Sequence, residues 1–401
     1  MIKDYFVLAL KNILHRKRRS WLTIIGILIG IAAVVALFSM GQGLNDSISR
    51  EFEKVGGDKL FIQPGSGMAG GFGATSSKLT DEDIDVIDRV RGVDETAGFV
   101  YRSAQVKYRD ESKFTYVMGI PMDKKELAVE AMIIEMDDGR LIRQTDTSNV
   151  MVGPTLREEL FEKEVAMRSK LTIKDREYRV VGSYEATGDP GNDRAVAMTL
   201  DSAREIFELE DEVQMVVVRV QNGFDPVDVK ESIQEALRNH RNVEEGEEDF
   251  TVSTPEDILA SFQTILGIVQ IVTIGIASIS LVVGGVGIMN TMYTSVSERT
   301  REIGVMKALG ATDSQILSIF LIESGLIGIV GGGIGVLLGV GMSQAASIYA
   351  TSVANFEFQA TLSFNLIAGS LLFSFVVGML SGAFPARTAA KMNPADALRY
   401  E

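Results

Sequence analysis

The chain has 401 residues, 46% of them hydrophobic, with 54 acidic against 39 basic residues and a formal net charge of −15. It has no cysteine, which excludes disulfides, thiolate catalysis and zinc–thiolate sites. Its two histidines, His15 and His240, are far apart and form no HExxH pairing, which excludes the common zinc hydrolases.

Charge is segregated along the chain. Residues 45–260 hold 46 acidic and 27 basic residues, so the rest is mildly basic and strongly apolar. In chain order, residues 1–20 come first. Tyr5, Phe6, Leu10, Ile13 and Leu14 recur at helical spacing among Lys3, Lys11, Arg16 and Lys17. That pattern predicts an amphipathic helix on the inner leaflet, in contact with lipid. Residues 21–40 form an apolar run without a charge. At ~1.5 Å per residue it covers the ~30 Å hydrocarbon core. It is too long for a signal-peptide core and no small-residue cleavage site closes it. Leu44, Ile48, Phe52 and Val55 continue an apolar helical stripe until Gly56 and Gly57 stop it.

Residues 41–261 read as one extracytoplasmic domain of mixed α and β character with helical ends. Residues 59–63, 178–181 and 215–220 are strand-like, and 104–120 reads as two strands around a turn at 110–112. Residues 80–90, 202–207 and 226–238 read as helices, the first with Thr80 as N-cap. The glycine-rich stretch 64–77 is a loop, since no Gly-Lys follows it as a phosphate cradle would need. The acidic run 244–249 reads as a solvated face. A capping box at Ser253 and Glu256 starts a helix above the second span, 262–292, so that two projecting helices pack as a stalk.

A cytoplasmic loop, 293–315, separates the second span from a third, 316–346. An extracytoplasmic loop, 347–361, leads to a fourth span, 362–384, and a cytoplasmic tail, 385–401. The basic residues orient this frame. They fall in 1–20, in the loop (Arg299, Arg301, Lys307) and in the tail (Arg387, Lys391, Arg399), while 347–361 has none. The positive-inside rule places both termini and the 293–315 loop in the cytoplasm, in a multi-pass protein of the cell membrane. The fold class is an integral-membrane frame of four transmembrane helices with a large α+β extracytoplasmic domain inserted between the first and second.

No GxxxxGK[ST] motif occurs, so the chain has no usual nucleotide loop. The spans lack the series of ionisable groups expected of a secondary transporter, since Glu323 is the only charge within one. A third helix started by a capping box at Thr312 and Gln315 places Glu323 about 15 Å in, near mid-depth. There it must be protonated, turned to another helix, or partnered by Ser and Thr hydroxyls or a cytoplasmic-side cation. Gly331, Gly335 and Gly339 repeat every four residues and permit close helix packing.

The loop has its own order. Ser295 and Glu298 form a capping box, and Ile303, Met306 and Leu309 mark an apolar face. Arg299 with Glu302, and Glu298 with Arg301, are i,i+3 pairs, and Gly310 stands at a C′ stop. This helix either lies against the membrane or presents a face to a protein. Its sequence, SERTREIGVMKALGAT at 297–312, resembles the cytoplasmic loop of MacB/FtsX-like permeases, the membrane subunits of type VII ABC systems. LKNILHRKRRSWLTIIGILIGIAAVVALFSMG at 10–41 resembles the family's first span, and FPARTAAKMNPADALRYE at 384–401 its C-terminal signature. Weaker likeness, as in DFTVSTPEDIL at 249–259, runs through the external domain.

The resemblance implies a homodimeric, non-catalytic permease served by two separate ABC ATPase subunits. No cofactor is expected on this chain, with ATP and Mg on the partner ATPase. It makes the loop an ATPase-coupling helix, with Glu298, Arg301, Glu302, Ile303, Gly304, Met306, Lys307, Leu309 and Gly310 as its site. Ile303, Met306 and Leu309 anchor in a groove on the ATPase, Glu298, Arg301 and Glu302 set register, and Gly304 allows close approach. Glu323 is then structural rather than a proton relay. ATP hydrolysis on the partner moves the external domain, where an adaptor or cargo binds. No nucleic-acid partner is expected. An FtsX-like regulator of an external enzyme is the alternative, and a secondary transporter a weaker one.

Overall fold

Residues 17–65, 77–354 and 360–399 are described by a computed structural model. Residues 1–16 of the surface helix expected over 1–20, the loop residues 66–76, residues 355–359 of the expected extracytoplasmic loop and residues 400–401 of the expected tail lie outside them. Among the described residues four helices are long and apolar enough to cross a membrane. They run Lys17–Val55, Pro255–Glu298, Asp313–Ala354 and Phe364–Ala390. The first three overrun their predicted spans at both ends and the fourth, starting at Phe364, only at its C-terminal end, because hydropathy marks the apolar stretch whereas a helix ends at its caps. The fourth passes through Pro385, where the tail was expected to begin. The first ends at Gly56, whose φ of 90° takes the chain out of the helix while its N–H reaches the Phe52 carbonyl at 3.2 Å.

The second helix starts one residue later than expected. Thr254, not Ser253, is its cap. The Asp257 carboxylate accepts from the Thr254 N–H at 2.9 Å, and the Asp257 N–H donates to the Thr254 hydroxyl at 3.1 Å. Pro255 sets this register, since proline fits the first helical position and the cap must precede it.

The chain divides into two compact units, one comprising 1–44, 264–349 and 358–401, the other 45–263 with 350–357. In the membrane unit glycines set the helix spacing. A Cβ on Gly335 or Gly339 would lie 2.8 Å from the carbonyl oxygen of Leu28 or Ala32 on the first helix. Gly331 is buried beside them. A second seam, which the four-residue repeat did not reveal, joins the third helix to the fourth through Gly325, Gly328 and Gly332 against Phe375 and Ser374. Gly26 meets Gly284 in the same way between the first and second helices.

The other unit is built on β1 (Lys59–Pro64), β2 (Leu79–Thr80), β3 (Val93–Tyr108), β4 (Glu111–Ile120), β5 (Met136–Gly139), β6 (Asn149–Val152), β7 (Lys170–Ile173), β8 (Arg176–Tyr184), β9 (Val196–Thr199), β10 (Glu212–Val213), β11 (Met215–Val220) and β12 (Phe250–Ser253). β12, β1, β11 and the first half of β3 lie side by side, all antiparallel, with Phe61 opposite Val217 and Val217 opposite Ala97. With helices Asp81–Ile87 and Pro226–Arg241 this is a ferredoxin-like β-α-β-β-α-β arrangement. A second body is inserted between β3 and β11. There β3, β4, β9, β6, β8 and β7 pair in a closed ring, and β7 returns to β3 with Ile173 opposite Val106. Closure leaves this ring no free edge.

Alternation along the strands divides the cores. Leu60 and Ile62 face Ile233 and Leu237 of the covering helix. Phe61 faces the other way, into a cluster with Phe99, Leu127, Phe52, Ile258 and Phe262. The last two belong to the start of the second long helix and Phe52 to the end of the first, so both helix ends are rooted in this core. Full burial of such side chains contributes about 1.5–3 kcal/mol each. Gln263 also donates to Asn45 at 3.2 Å. The acidic segments are less simply solvated than expected. Asp83, at the start of its helix, is buried against Arg241 at 2.6 Å, and Arg241 also holds Asp249 at 2.7 Å.

One loop carboxylate carries measurable stability. Asp146 accepts from Arg140 at 2.7 Å and 3.2 Å, from the Arg143 N–H at 2.9 Å and from the Asn149 amide at 2.7 Å. Hydrogen bonding from Arg140, against the opposing effect of burial, holds its pKa down at about 2. The folded carboxyl thus titrates below the unfolded one. The stabilisation, about 2 kcal/mol, is full above pH ~4 and lost as pH falls through ~2. Asp146→Asn is expected to lower stability by at least that amount at pH 7 and by much less near pH 2. Urea unfolding of the purified chain, followed by circular dichroism at both pH values, measures it. An equal loss at both would refute the assignment.

Candidate functional site

Between the second and third long helices lies a short helix, Thr300–Ala308. Ser295 and Glu298 do not start it. The second helix continues to Glu298, and Arg299, at φ −104° and ψ 14°, breaks the helical run. The Thr300 hydroxyl donates back to the Ser297 carbonyl at 2.9 Å, which accounts for the tight junction. The far end is a Schellman stop. Gly310 has φ 97°, its N–H donates to the Lys307 carbonyl, and the Ala311 N–H donates to the Met306 carbonyl, both at 3.0 Å. Thr312 and Gln315 then cap the third helix reciprocally, at 2.9 Å and 3.4 Å.

The expected apolar face divides. Ile303 is 0% exposed within the membrane unit's core, and Met306 is half-buried against it. Leu309 is 85% exposed. It is the C-cap, at φ −83° and ψ 4°, so it no longer follows the face set by Ile303. Ile303 therefore anchors the helix inward and is not offered to a partner. Gly304 serves an inward contact too. A Cβ there would stand 2.9 Å from the Cβ of Ala397 in the terminal helix Pro394–Arg399. Lys307 is likewise held from behind. It donates to the carbonyls of Ala390 and Met392 at 2.6 Å and 2.8 Å and pairs with Asp313 at 3.0 Å. The outward face is Glu298, Arg301, Glu302, Val305 and Leu309.

Glu323 is partnered by a cation. Its Oε2 lies 3.0 Å from the Arg299 guanidinium, and both side chains are about nine-tenths buried, at 9% and 12% exposure. Arg299 also pairs with Glu302 at 3.0 Å and lies 5.3 Å from the centre of the Phe320 ring. Of the partners the sequence offers Glu323, this is the cation, supplied by the residue that directly follows the last residue of the second helix. The sequence pairs Arg299 with Glu302 and offers Glu323 a cytoplasmic-side cation, without showing that the two are the same arginine. The signal that could have found it was a buried acid on one helix beside the single residue that interrupts another.

The family model of the MacB-like periplasmic core domain matches residues 20–236, and that of the FtsX-like permease C-terminal region matches residues 274–394. An uncharacterized ABC transporter permease of Methanocaldococcus jannaschii is 36% identical over 402 residues, covering 100% of this chain and 98% of that protein. The uncharacterized ABC transporter permease YknZ of Bacillus subtilis is 29% identical, with 98% of each chain covered. The macrolide export ATP-binding/permease protein MacB of Bdellovibrio bacteriovorus is 31% identical over 96% of this chain, which spans 60% of that longer protein. With both family models matched in chain order and a relative aligned from end to end, this chain belongs to the MacB/FtsX-like family of ABC transporter permeases.

Proposed function

We propose that the chain is the non-catalytic membrane subunit of an ABC-type export or mechanotransmission complex, and that it couples ATP hydrolysis on a separate subunit to movement of its external domain. The carrying observation is the short helix Thr300–Ala308. It is pinned from behind by Ile303, Gly304 and Lys307 and leaves Val305 and the 85% exposed Leu309 at the surface, together with Arg301 and Glu302. A helix lying on lipid gains nothing from being fixed to the frame, whereas a docking helix must resist bending. The docking face is thus Glu298, Arg301, Glu302, Val305 and Leu309, with Ile303, Gly304, Met306, Lys307 and Gly310 holding it in place.

In this reading both termini and the docking helix face the cytoplasm and residues 41–261 stand outside the cell membrane. Two chains pair, each docked by one ATPase that carries ATP and Mg, and an adaptor or cargo meets the external domain. The helices Lys17–Val55 and Pro255–Glu298, each unbroken into that domain's core, support the transmission of force.

Val305→Asp and Leu309→Asp are expected to leave the four helices inserted and to weaken ATPase association about tenfold or more, since each places a charge in a desolvated contact. Co-purification of the ATPase and its permease-dependent turnover read this out. Unchanged association in both variants would leave a membrane-surface helix.

A further inference from the structure

We infer that Arg299 is a latch that delivers motion of the docking helix to the third membrane helix as well as the second. The inference rests on the proposed coupling to an ATPase and names the residues that perform it. Arg299 is the single residue between Glu298, the last of one helix, and Thr300, the first of the next. Ile303, Gly304 and Lys307 seat the short helix on the frame, and Lys307 reaches Asp313 at the very start of the third helix. The Arg299 side chain adds a second, buried tie, from the junction itself to a point further along that helix. One guanidinium holds Glu302 on the docking helix and Glu323 on the third helix, each at 3.0 Å, and lies against Phe320 one turn before Glu323.

The geometry suits a rigid link. Arginine's planar fork presents donors in fixed directions, so one side chain can hold two carboxylates without folding back. The Arg299–Glu323 contact is shielded from water, whereas Glu302 is 66% exposed. The inner contact is therefore the firm one, and the outer contact lies where a docked partner would reach it. Force applied at Glu302 or the outward face passes through Arg299 into the third helix. That helix packs against the first through Gly335 and Gly339, and against the fourth through Gly328.

The test uses the full chain in lipid nanodiscs with the ATP-binding subunit that co-purifies with it. Arg299→Gln and Glu323→Gln are expected to keep the half-saturating ATPase concentration within about twofold and to lower maximal permease-dependent turnover about tenfold. The reciprocal pair, Arg299→Glu with Glu323→Arg, is expected to recover most of that turnover. An ATPase-independent reading comes from a spin label at Val305→Cys, clean because the chain has no cysteine. Its mobility should rise in Arg299→Gln and fall again in the reciprocal pair. Turnover unchanged in both single variants overturns the latch. So does ATPase affinity lost together with turnover, or failure of the single variants to insert, because the pair would then only build the fold. If the wild-type chain recruits no ATPase, the proposed function fails instead, while the spin-label result still decides whether Arg299 holds the helix.

Discussion

Gly328→Leu is expected to abolish the packed four-helix frame, while Gly333→Leu, five positions along the same helix, leaves it intact. At Gly328 even a Cβ would fall far inside contact of the Ser374 carbonyl oxygen, with the Ser374 carbonyl carbon at 3.1 Å and Gly378 Cα at 3.3 Å. These are backbone atoms of the fourth helix, so no side chain can rotate away. The helices must separate, and the neighbouring contacts of Gly325, Gly332 and Gly382 open with them. Ordinary overpacking costs about 1–3 kcal/mol. A backbone-on-backbone seam lies at or above the top of that range, because membrane helices associate through such close approach. At Gly333 an added Cβ meets nothing within 4 Å. Fluorescence-detected size exclusion and thermal unfolding in detergent compare the two, and equal behaviour would refute the seam.

Ser49→Pro is expected to disconnect the external domain without disturbing the docking helix. Residue 49 lies inside the helix Lys17–Val55. Proline there removes the bond to the Asn45 carbonyl and clashes with it, at about 3 kcal/mol or more. Below the break the helix keeps its place in the membrane unit, and above it Phe52 stays in the external core. ATPase association should persist. Spin labels at Glu53→Cys and Ser261→Cys, both exposed positions, should lose any ATP-dependent change in separation. An ATP-dependent change that survives the proline would show that the first helix does not carry the stroke.

Much of the membrane frame was legible because hydropathy is additive along the chain. Four apolar runs need no knowledge of what touches what. Helix ends were less legible, since they depend on one residue's backbone. Pro255 moved a cap from Ser253 to Thr254, and Arg299, not Ser295, marks the break before the helix Thr300–Ala308. Individual strands were readable at 59–63 and 215–220, but the closed ring was not. Its last pairing brings Val106 to Ile173, and no local pattern encodes that distance. The candidate site failed in one instructive way. A spacing of three made Ile303 and Leu309 equivalent, yet Ile303 is in the core and Leu309 is beyond the last helical residue. The buried pair Arg299–Glu323 was half visible, because the acid stood out in its span while the base looked like any surface arginine.

The insertion between β3 and β11 also dictates the order in which the domain can be completed. β1 ends at Pro64, but the strand that covers one of its edges, β11, begins at Met215, and the strand that covers the other, β12, begins at Phe250. As the chain emerges, Leu60, Phe61 and Ile62 must wait through the whole inserted ring before either neighbour exists. A free apolar edge held open that long is a template for wrong partners, and non-local pairing of this kind is intrinsically slow. The ring, closed on itself, can form first. Nascent chains stalled before Met215 would then hold a finished ring beside an unpaired, aggregation-prone β1, a state in which a holdase has something to protect.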